Sequence, residues 1–120
     1  MPYIDGFVVP VPKRNLGKYR QMARKMGKGW RDHGALSYTE TVADDVKPGK
    51  VTSFPQAVKL KPGEVVWLSF AKFRNRAHRD RVNKNAMNDP RVAKLMANPK
   101  DMPFDMKRIF FGGFKVVIDL

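Results

Sequence analysis

The sequence predicts an α+β fold in which helices cover one side of an antiparallel sheet. Two similar apolar strands lie near the ends of the chain, Ile4-Asp5-Gly6-Phe7-Val8-Val9 and Phe111-Gly112-Gly113-Phe114-Lys115-Val116-Val117. Each has glycine beside phenylalanine, and helical periodicity alternates with further strands between them. This order is typical of one sheet whose terminal strands are neighbours.

The first half of the chain predicts a strand, a helix and a second strand. β-Branched and aromatic residues favour a strand over Tyr3–Val11, which ends among prolines. The helix begins after Asn15, a common N-cap residue, and Gly34 ends it. Alternation predicts the second strand over Ala35–Ala43. The apolar stripe of the helix recurs every three or four residues, with basic residues opposite it, at Leu16, Tyr19, Ala23, Met26 and Trp30.

The second half predicts a central strand, a basic helix and a last strand. Residues 51–60 read as a short strand or an extended loop, since Pro55 argues against a central strand. Val65–Phe73 is apolar on both faces, as expected of a strand covered on both sides. A helix is predicted over Asn75–Asn88, and Asp89-Pro90 begins another helical turn. Pro99–Asp105 is predicted as a loop and Arg108–Leu120 as the last strand.

The predicted order is therefore the split β-α-β arrangement of a ferredoxin-like domain spanning residues 1–120. The first and last strands are neighbours, and both helices lie on one face of the sheet. The opposite face also carries apolar side chains and needs a cover. We expect a homodimer in which two such faces pack together.

Charge is the unusual feature of the composition. Lys and Arg number 24 against 11 Asp and Glu, which gives a net charge of +13. The region from Lys13 to Arg31 contains eight basic residues and no acidic one. Such an excess indicates attraction to nucleic acid or another polyanion, or simply a strongly charged surface, and the sequence leaves both open.

Composition also limits the kinds of active site that the protein can have and the cellular compartment in which we expect it. There is no cysteine, so disulfides, thiolate metal sites and cysteine nucleophiles are excluded. No apolar run approaches the length of a membrane helix, and no secretory leader is expected. We therefore expect a cytoplasmic protein. His33 and His78 lack a second histidine at metal-binding spacing, and no loop resembles a phosphate cradle, so neither a metal nor a cofactor is predicted.

Several tracts, taken together and in order, resemble the YbaA-like family of bacterial proteins of unknown function. The tracts are residues 3–12, Gly34-Ala35-Leu36, residues 43–46, residues 52–58, Asp89-Pro90-Arg91, Met102-Pro103-Phe104-Asp105 and Lys107-Arg108 through Gly112-Gly113-Phe114. The resemblance implies a dimeric α/β-barrel of ferredoxin-like subunits, and it implies no reaction, substrate or cofactor. Two positions depart from the family pattern: Met106 replaces an expected glycine, and Thr41 replaces an expected cysteine after Glu40.

The best candidate site is a pocket between the helices and the sheet, where ferredoxin-like enzymes of the dimeric-barrel group bind their substrates. The candidate catalytic residues are Asp5, Glu40, Asp105 and Arg108, with Tyr38 and His33 as further polar groups. A buried Asp5 paired with Lys107 or Arg108 would suit acid–base chemistry or anion binding; a structural salt bridge is the alternative. The loop Met102–Asp105 is interpreted as either a lid over this pocket or a packing plug that ends a helix.

The leading functional hypothesis is a homodimer that binds or converts a small molecule in this pocket. The alternative is a basic accessory protein that binds RNA or DNA non-specifically through its helices. The candidate residues for that alternative form a basic flank of the second main helix: Arg74, Arg76, Arg79, Arg81 and Lys84. The Gly-Phe motif of single-stranded RNA-binding sheets is missing from the central strand, which disfavours sequence-specific RNA recognition.

Overall fold

A computed structural model describes residues 1–120 and confirms the α+β, ferredoxin-like fold. Four strands and four helices follow one another along the chain: β1 (Tyr3–Pro12), α1 (Leu16–Asp32), β2 (Ser37–Val42), α2 (Phe54–Ala57), β3 (Glu64–Phe73), α3 (Arg76–Met87), α4 (Pro90–Met96) and β4 (Phe110–Lys115). Single 3-10 turns occupy Lys13–Asn15 and Pro99–Asp101. No helix has the length and apolarity needed to cross a membrane.

The four strands form one antiparallel sheet in the order β2-β3-β1-β4. The first and last strands are neighbours, and Gly6 of β1 faces Gly112 of β4. The last strand is nevertheless an edge strand and is shorter than the predicted Arg108–Leu120. Its pairing with β1 ends where β1 begins, at Tyr3 opposite Lys115, and one further bond joins the Val116 N–H to the Pro2 carbonyl. Beyond that point β1 offers no backbone partner.

The prediction of an extended segment at residues 51–60 was wrong, because a short helix forms there. Ser53 caps α2, with its Oγ accepting a hydrogen bond from the Gln56 N–H at 3.2 Å. Pro55 excludes a central strand but fits the first turn of a helix. After this turn Val58 is fully buried against Val8 and Val66. The segment therefore covers one end of the sheet face opposite α1.

Helix α1 buries much of its predicted apolar stripe, but Asn15 and Gly27 have roles that the sequence did not predict. Asn15 occupies the N-cap position, but its side chain donates to the Pro103 carbonyl at 3.1 Å instead of capping the helix. Gly27 is buried because the ring of Tyr38 packs on its backbone; a Cβ there would lie 2.5 Å from Cδ1 of that ring. Gly34 ends the region with a φ of +113°, which favours glycine. The absence of a side chain at Gly27 therefore lets the helix pack directly against Tyr38 of strand β2.

The two faces of the sheet differ in how fully they are covered. On the helix face, Val9, Val11 and Trp67 form a core with Tyr19 and Ala23 of α1. The opposite face, called the open face below, carries residues that alternate with these along the strands. Its apolar members include Leu68, Phe110 and Phe114, which are 41%, 44% and 64% exposed.

Candidate functional site

A groove of about 700 Å³ lies between α1 and the sheet. It opens beside strand β2, whose Tyr38, Glu40 and Val42 point toward α1, and it ends against Trp67 of β3. We call it the α1–sheet groove. Its helix wall carries Leu16, Arg20, Ala23, Arg24, Gly27, Lys28 and Arg31. The predicted pocket between helices and sheet therefore exists, and two of its predicted polar residues, Tyr38 and Glu40, line it.

Glu40 is the polar centre of the groove. Its Oε1 accepts hydrogen bonds from the Tyr19 hydroxyl at 2.8 Å and from the Ser69 hydroxyl at 2.6 Å. Strand pairing places Glu40 directly opposite Ser69. Tyr19 lies in the first turns of α1, and its hydroxyl reaches the same carboxylate oxygen from the helix side. Neither of these two bonds uses Oε2, and the Tyr38 hydroxyl also interacts with the Glu40 carboxylate. One carboxylate oxygen is therefore fixed by the protein while the other keeps its acceptor capacity.

Two tyrosines surround this carboxylate, and both remain protonated. Burial raises the pKa of Tyr19 well above its usual value, and the negative charge of Glu40 raises it further. The pKa of Tyr38 is raised by the same two causes in the same order. A phenolate beside a partly buried carboxylate would be a second unpaired negative charge, which explains both shifts. Both phenols therefore act as hydrogen-bond donors at ordinary pH.

Trp67 supplies the apolar end of the groove. Its ring lies 4.8 Å from the ring of Tyr19, centroid to centroid, and the residue is buried. The indole N–H has no hydrogen-bond partner and no contact with solvent. An unpaired buried donor of this kind costs about 1 to 3 kcal/mol of stability. Such groups are rare in proteins and often mark functional sites.

The helix wall of the groove is cationic. Arg20, Arg24, Lys28 and Arg31 follow one another at spacings of four, four and three residues, which places them along one face of α1. Arg31 donates to the carbonyls of Ala35 and Leu36. The other three form no ion pair. The sequence interpretation placed them on the solvent face and missed this role, although their helical spacing is visible in the sequence.

Asp5 lies outside the groove, and its predicted pairing with Lys107 or Arg108 was wrong. Its Oδ1 accepts from Arg79 Nη1 at 2.7 Å and its Oδ2 from Asn83 Nδ2 at 3.3 Å. The guanidinium of Arg79 also lies 4.9 Å above the ring of Tyr3. Asp5 points to the helix face, where α3 crosses β1, so its partners come from α3. Asp5 is therefore part of a largely buried polar network with Arg79 and Asn83, and it does not line the groove.

Arg108 and Asp105 lie together at the end of the sheet, away from the groove. The guanidinium of Arg108 binds both carboxylate oxygens of Glu64, at 2.7 and 2.6 Å, and Asp105 at 3.0 Å. These hydrogen bonds hold the pKa of Glu64 below its usual range. A bidentate pair of this kind fixes geometry strongly. The arrangement joins the segment before β4 to the start of β3.

The loop Met102–Asp105 behaves as a plug. Pro103 is fully buried, and the ring of Phe104 lies 5.8 Å from that of Tyr19. None of its residues lines the groove. His33 is likewise elsewhere, with its Nε2 2.9 Å from an Asp89 oxygen at the start of α4.

The predicted basic flank of α3 is only partly available. Arg79 is 18% exposed by side chain, and its guanidinium is held by Asp5 and Asp80. Because this side chain belongs to the buried network around Asp5, it is poorly placed to bind nucleic acid. The side chains of Arg74, Arg76, Arg81 and Lys84 are exposed and stay candidates.

Comparison with known proteins gives the family. A family described as "Protein of unknown function (DUF1428)" matches residues 2–106. The uncharacterised protein YbaA of Escherichia coli strain K12 is 42% identical over 119 residues, which cover 99% of each chain. The chain belongs to the DUF1428 family.

Solved structures share the fold of this DUF1428 member at low sequence identity. A dimeric ferredoxin-like protein from an uncultured marine organism aligns over 100% of both chains with a TM-score of 0.55 and 11% identity. A candidate antibiotic biosynthesis monooxygenase from Nitrosomonas europaea aligns over 97% of this chain and 90% of its own, with a TM-score of 0.58 and 7% identity. These likenesses confirm the ferredoxin-like fold.

Proposed function

We propose that the protein is a homodimer that binds or converts a small molecule in the α1–sheet groove. The observation that carries the proposal is Glu40, whose Oε1 accepts hydrogen bonds from both Tyr19 and Ser69, while neither of these donors uses Oε2. A carboxylate held in this way by protonated groups has a defined direction and a free acceptor. Positioned polar groups in a largely apolar concavity are the usual makings of a ligand site.

The open face of the sheet supports the homodimer. Leu68, Phe110 and Phe114 form an exposed apolar surface there, and a surface of this kind marks an interaction site. A second copy of the chain presents the same surface, so a two-fold axis satisfies both faces at once. The ferredoxin-like protein from an uncultured marine organism, which has the same fold, is described as dimeric, and this supports self-association.

A fragment screen read by amide NMR shifts tests the groove. The library contains anionic, neutral and cationic fragments in equal number, so that any ligand chemistry is sampled. We expect hits that shift the amides of α1 and β2 around Glu40. A Val42→Trp variant fills the groove from its sheet wall, where Val42 is 48% exposed, and should abolish these shifts.

Val117→Trp is the matched control, because Val117 is 77% exposed in the C-terminal segment and does not line the groove. It should leave every hit unchanged. Absence of hits of any charge, or hits that persist in Val42→Trp, would count against the groove as the site.

A further inference from the structure

The charge of the α1–sheet groove selects among ligands. Four cationic side chains of α1 line it, and Glu40 is the only acidic residue that does. No ion pair within the protein neutralises the four cations. A concave surface dominated by one sign of charge concentrates ligands of the opposite sign. The groove therefore favours an anion.

The sheet wall of the groove has a different chemistry. Trp67 and Val42 contribute apolar surface there, and Leu16 and Ala23 extend it from α1. A small inorganic anion would leave this surface in contact with water. A ligand with an apolar body covers it and gains the free energy of that burial.

Glu40 adds a requirement for a donor. A negative carboxylate would repel an anion unless the ligand also presents an O–H or N–H to it. Because Tyr19 and Ser69 both donate to Oε1, a ligand donor would meet Oε2. A hydrogen bond to an ionised acceptor is stronger than one between neutral groups. The groove thus has cationic side chains on its α1 side and the carboxylate of Glu40, a hydrogen-bond acceptor, on its sheet side.

Building on the function proposed above, we infer that the ligand is an organic anion with an apolar ring and a hydroxyl group. Its carboxylate or phosphate lies against the cations of α1, and its hydroxyl donates to Oε2 of Glu40. The ring lies along Trp67 and Val42.

Three probes of similar shape separate these contributions: 4-hydroxybenzoate, benzoate and the uncharged 4-hydroxybenzyl alcohol. Their dissociation constants are measured by NMR titration of the intact protein. We expect 4-hydroxybenzoate to bind about tenfold more tightly than benzoate, since it adds one hydrogen bond to a charged acceptor. The neutral alcohol should bind more weakly than 4-hydroxybenzoate, by about tenfold.

Variants assign each contribution to its residue. Glu40→Gln keeps an oxygen for Tyr19 and Ser69 but places an amide donor at the position of Oε2, so the preference for the hydroxyl should fall to about onefold. Arg24→Gln should weaken both anions by about threefold to tenfold and leave the neutral probe unchanged. Lys25→Gln removes the same charge from the adjacent, exposed position outside the groove, and should change binding by less than about twofold.

Equal binding of the neutral and anionic probes would overturn the charge requirement. A hydroxyl preference that survives in Glu40→Gln would overturn the role of Oε2. Failure of all three probes would overturn the inference as a whole. If the three probes fail but neutral or cationic fragments from the screen bind the groove, the groove is still a small-molecule site and only the inferred ligand class is wrong.

Discussion

At the scale of single residues, two glycines are required because a neighbouring aromatic side chain packs directly against their backbone. Gly113 faces Asp5 across the β1–β4 pair, and a Cβ on it would lie 2.3 Å from the Tyr3 hydroxyl oxygen. That hydroxyl accepts a long hydrogen bond from Arg79 at 3.4 Å. The glycine of the last strand therefore makes room for the buried network around Asp5, and its role is structural.

Gly27→Ala should lower the free energy of unfolding by about 1 to 3 kcal/mol, because the new methyl group overpacks the interface between α1 and β2. The added Cβ would meet the base of the Tyr38 ring, at 2.5 Å from Cδ1 and 3.1 Å from Cγ, where the side chain has little freedom to move. Urea denaturation measures the change. Gly17→Ala in the same helix meets nothing within 4 Å and should raise stability by up to about 1 kcal/mol. Equal effects of the two substitutions would contradict the steric explanation.

Asp5→Ala should destabilise the protein by about 3 kcal/mol, since it leaves the largely buried guanidinium of Arg79 without its main partner. The side chains of Asp5 and Arg79 are 7% and 18% exposed. Asp80→Ala removes the other carboxylate that binds Arg79, but that side chain is 58% exposed, so its loss should cost less than about 1 kcal/mol. Thermal and urea unfolding of both variants give the comparison. A smaller loss for Asp5→Ala than for Asp80→Ala would refute a buried network.

At the scale of elements, the two faces of β3 serve different purposes. One face places Trp67 in the wall of the α1–sheet groove and Ser69 beside it, where the Ser69 hydroxyl donates to Glu40. The other face places Leu68 on the open face of the sheet. The same ten-residue strand thus contributes to the proposed ligand site and to the proposed dimer interface, because its side chains alternate.

Leu68→Asp should convert the dimer to a monomer. In a two-fold interface the substitution removes apolar burial twice and adds a charge to each face, which should raise the dimer dissociation constant by at least about 100-fold. Leu68 is 41% exposed in the single chain, so the variant should still fold. Light scattering over a concentration series measures the mass.

Val51→Asp provides the matched control for the dimer, because Val51 is 92% exposed and lies in the loop before α2. It should leave the mass at twice that of one chain. A wild-type mass of 13.7 kDa at micromolar concentration would contradict the dimer.

At the scale of the whole molecule, the net charge of +13 has two explanations that experiment can separate. Part of the charge lines the groove, where the proposed organic anion would bind. If the remainder serves nucleic acid, affinity for duplex DNA should fall steeply with salt in proportion to the phosphates contacted. A variant with Arg76, Arg81 and Lys84 replaced by Gln should then lose affinity, while Arg24→Gln should change it little. No retention of DNA at low salt would rule out this function.

The fold was predictable because its signals are local. The alternation along β1 and β3 and the helical stripe from Leu16 to Trp30 define faces without any knowledge of the partners. The helix at Phe54–Ala57 was missed because Pro55 is compatible with both an extended loop and a first helical turn. Ser53, which caps that helix, was the signal that distinguishes the two.

The sequence by itself determined the order of the strands and the two main helices and the pairing of the terminal strands, while the structure decided that Glu40 faces the groove. The sequence also determined the charge and the absence of thiol chemistry. Only the tertiary structure decided that Asp5 binds Arg79, that Arg108 binds Glu64, and that the basic residues of α1 line a groove beside Glu40. The physical reason is that periodicity fixes the face on which a side chain lies. The partner of a long charged side chain depends instead on where helices cross the sheet.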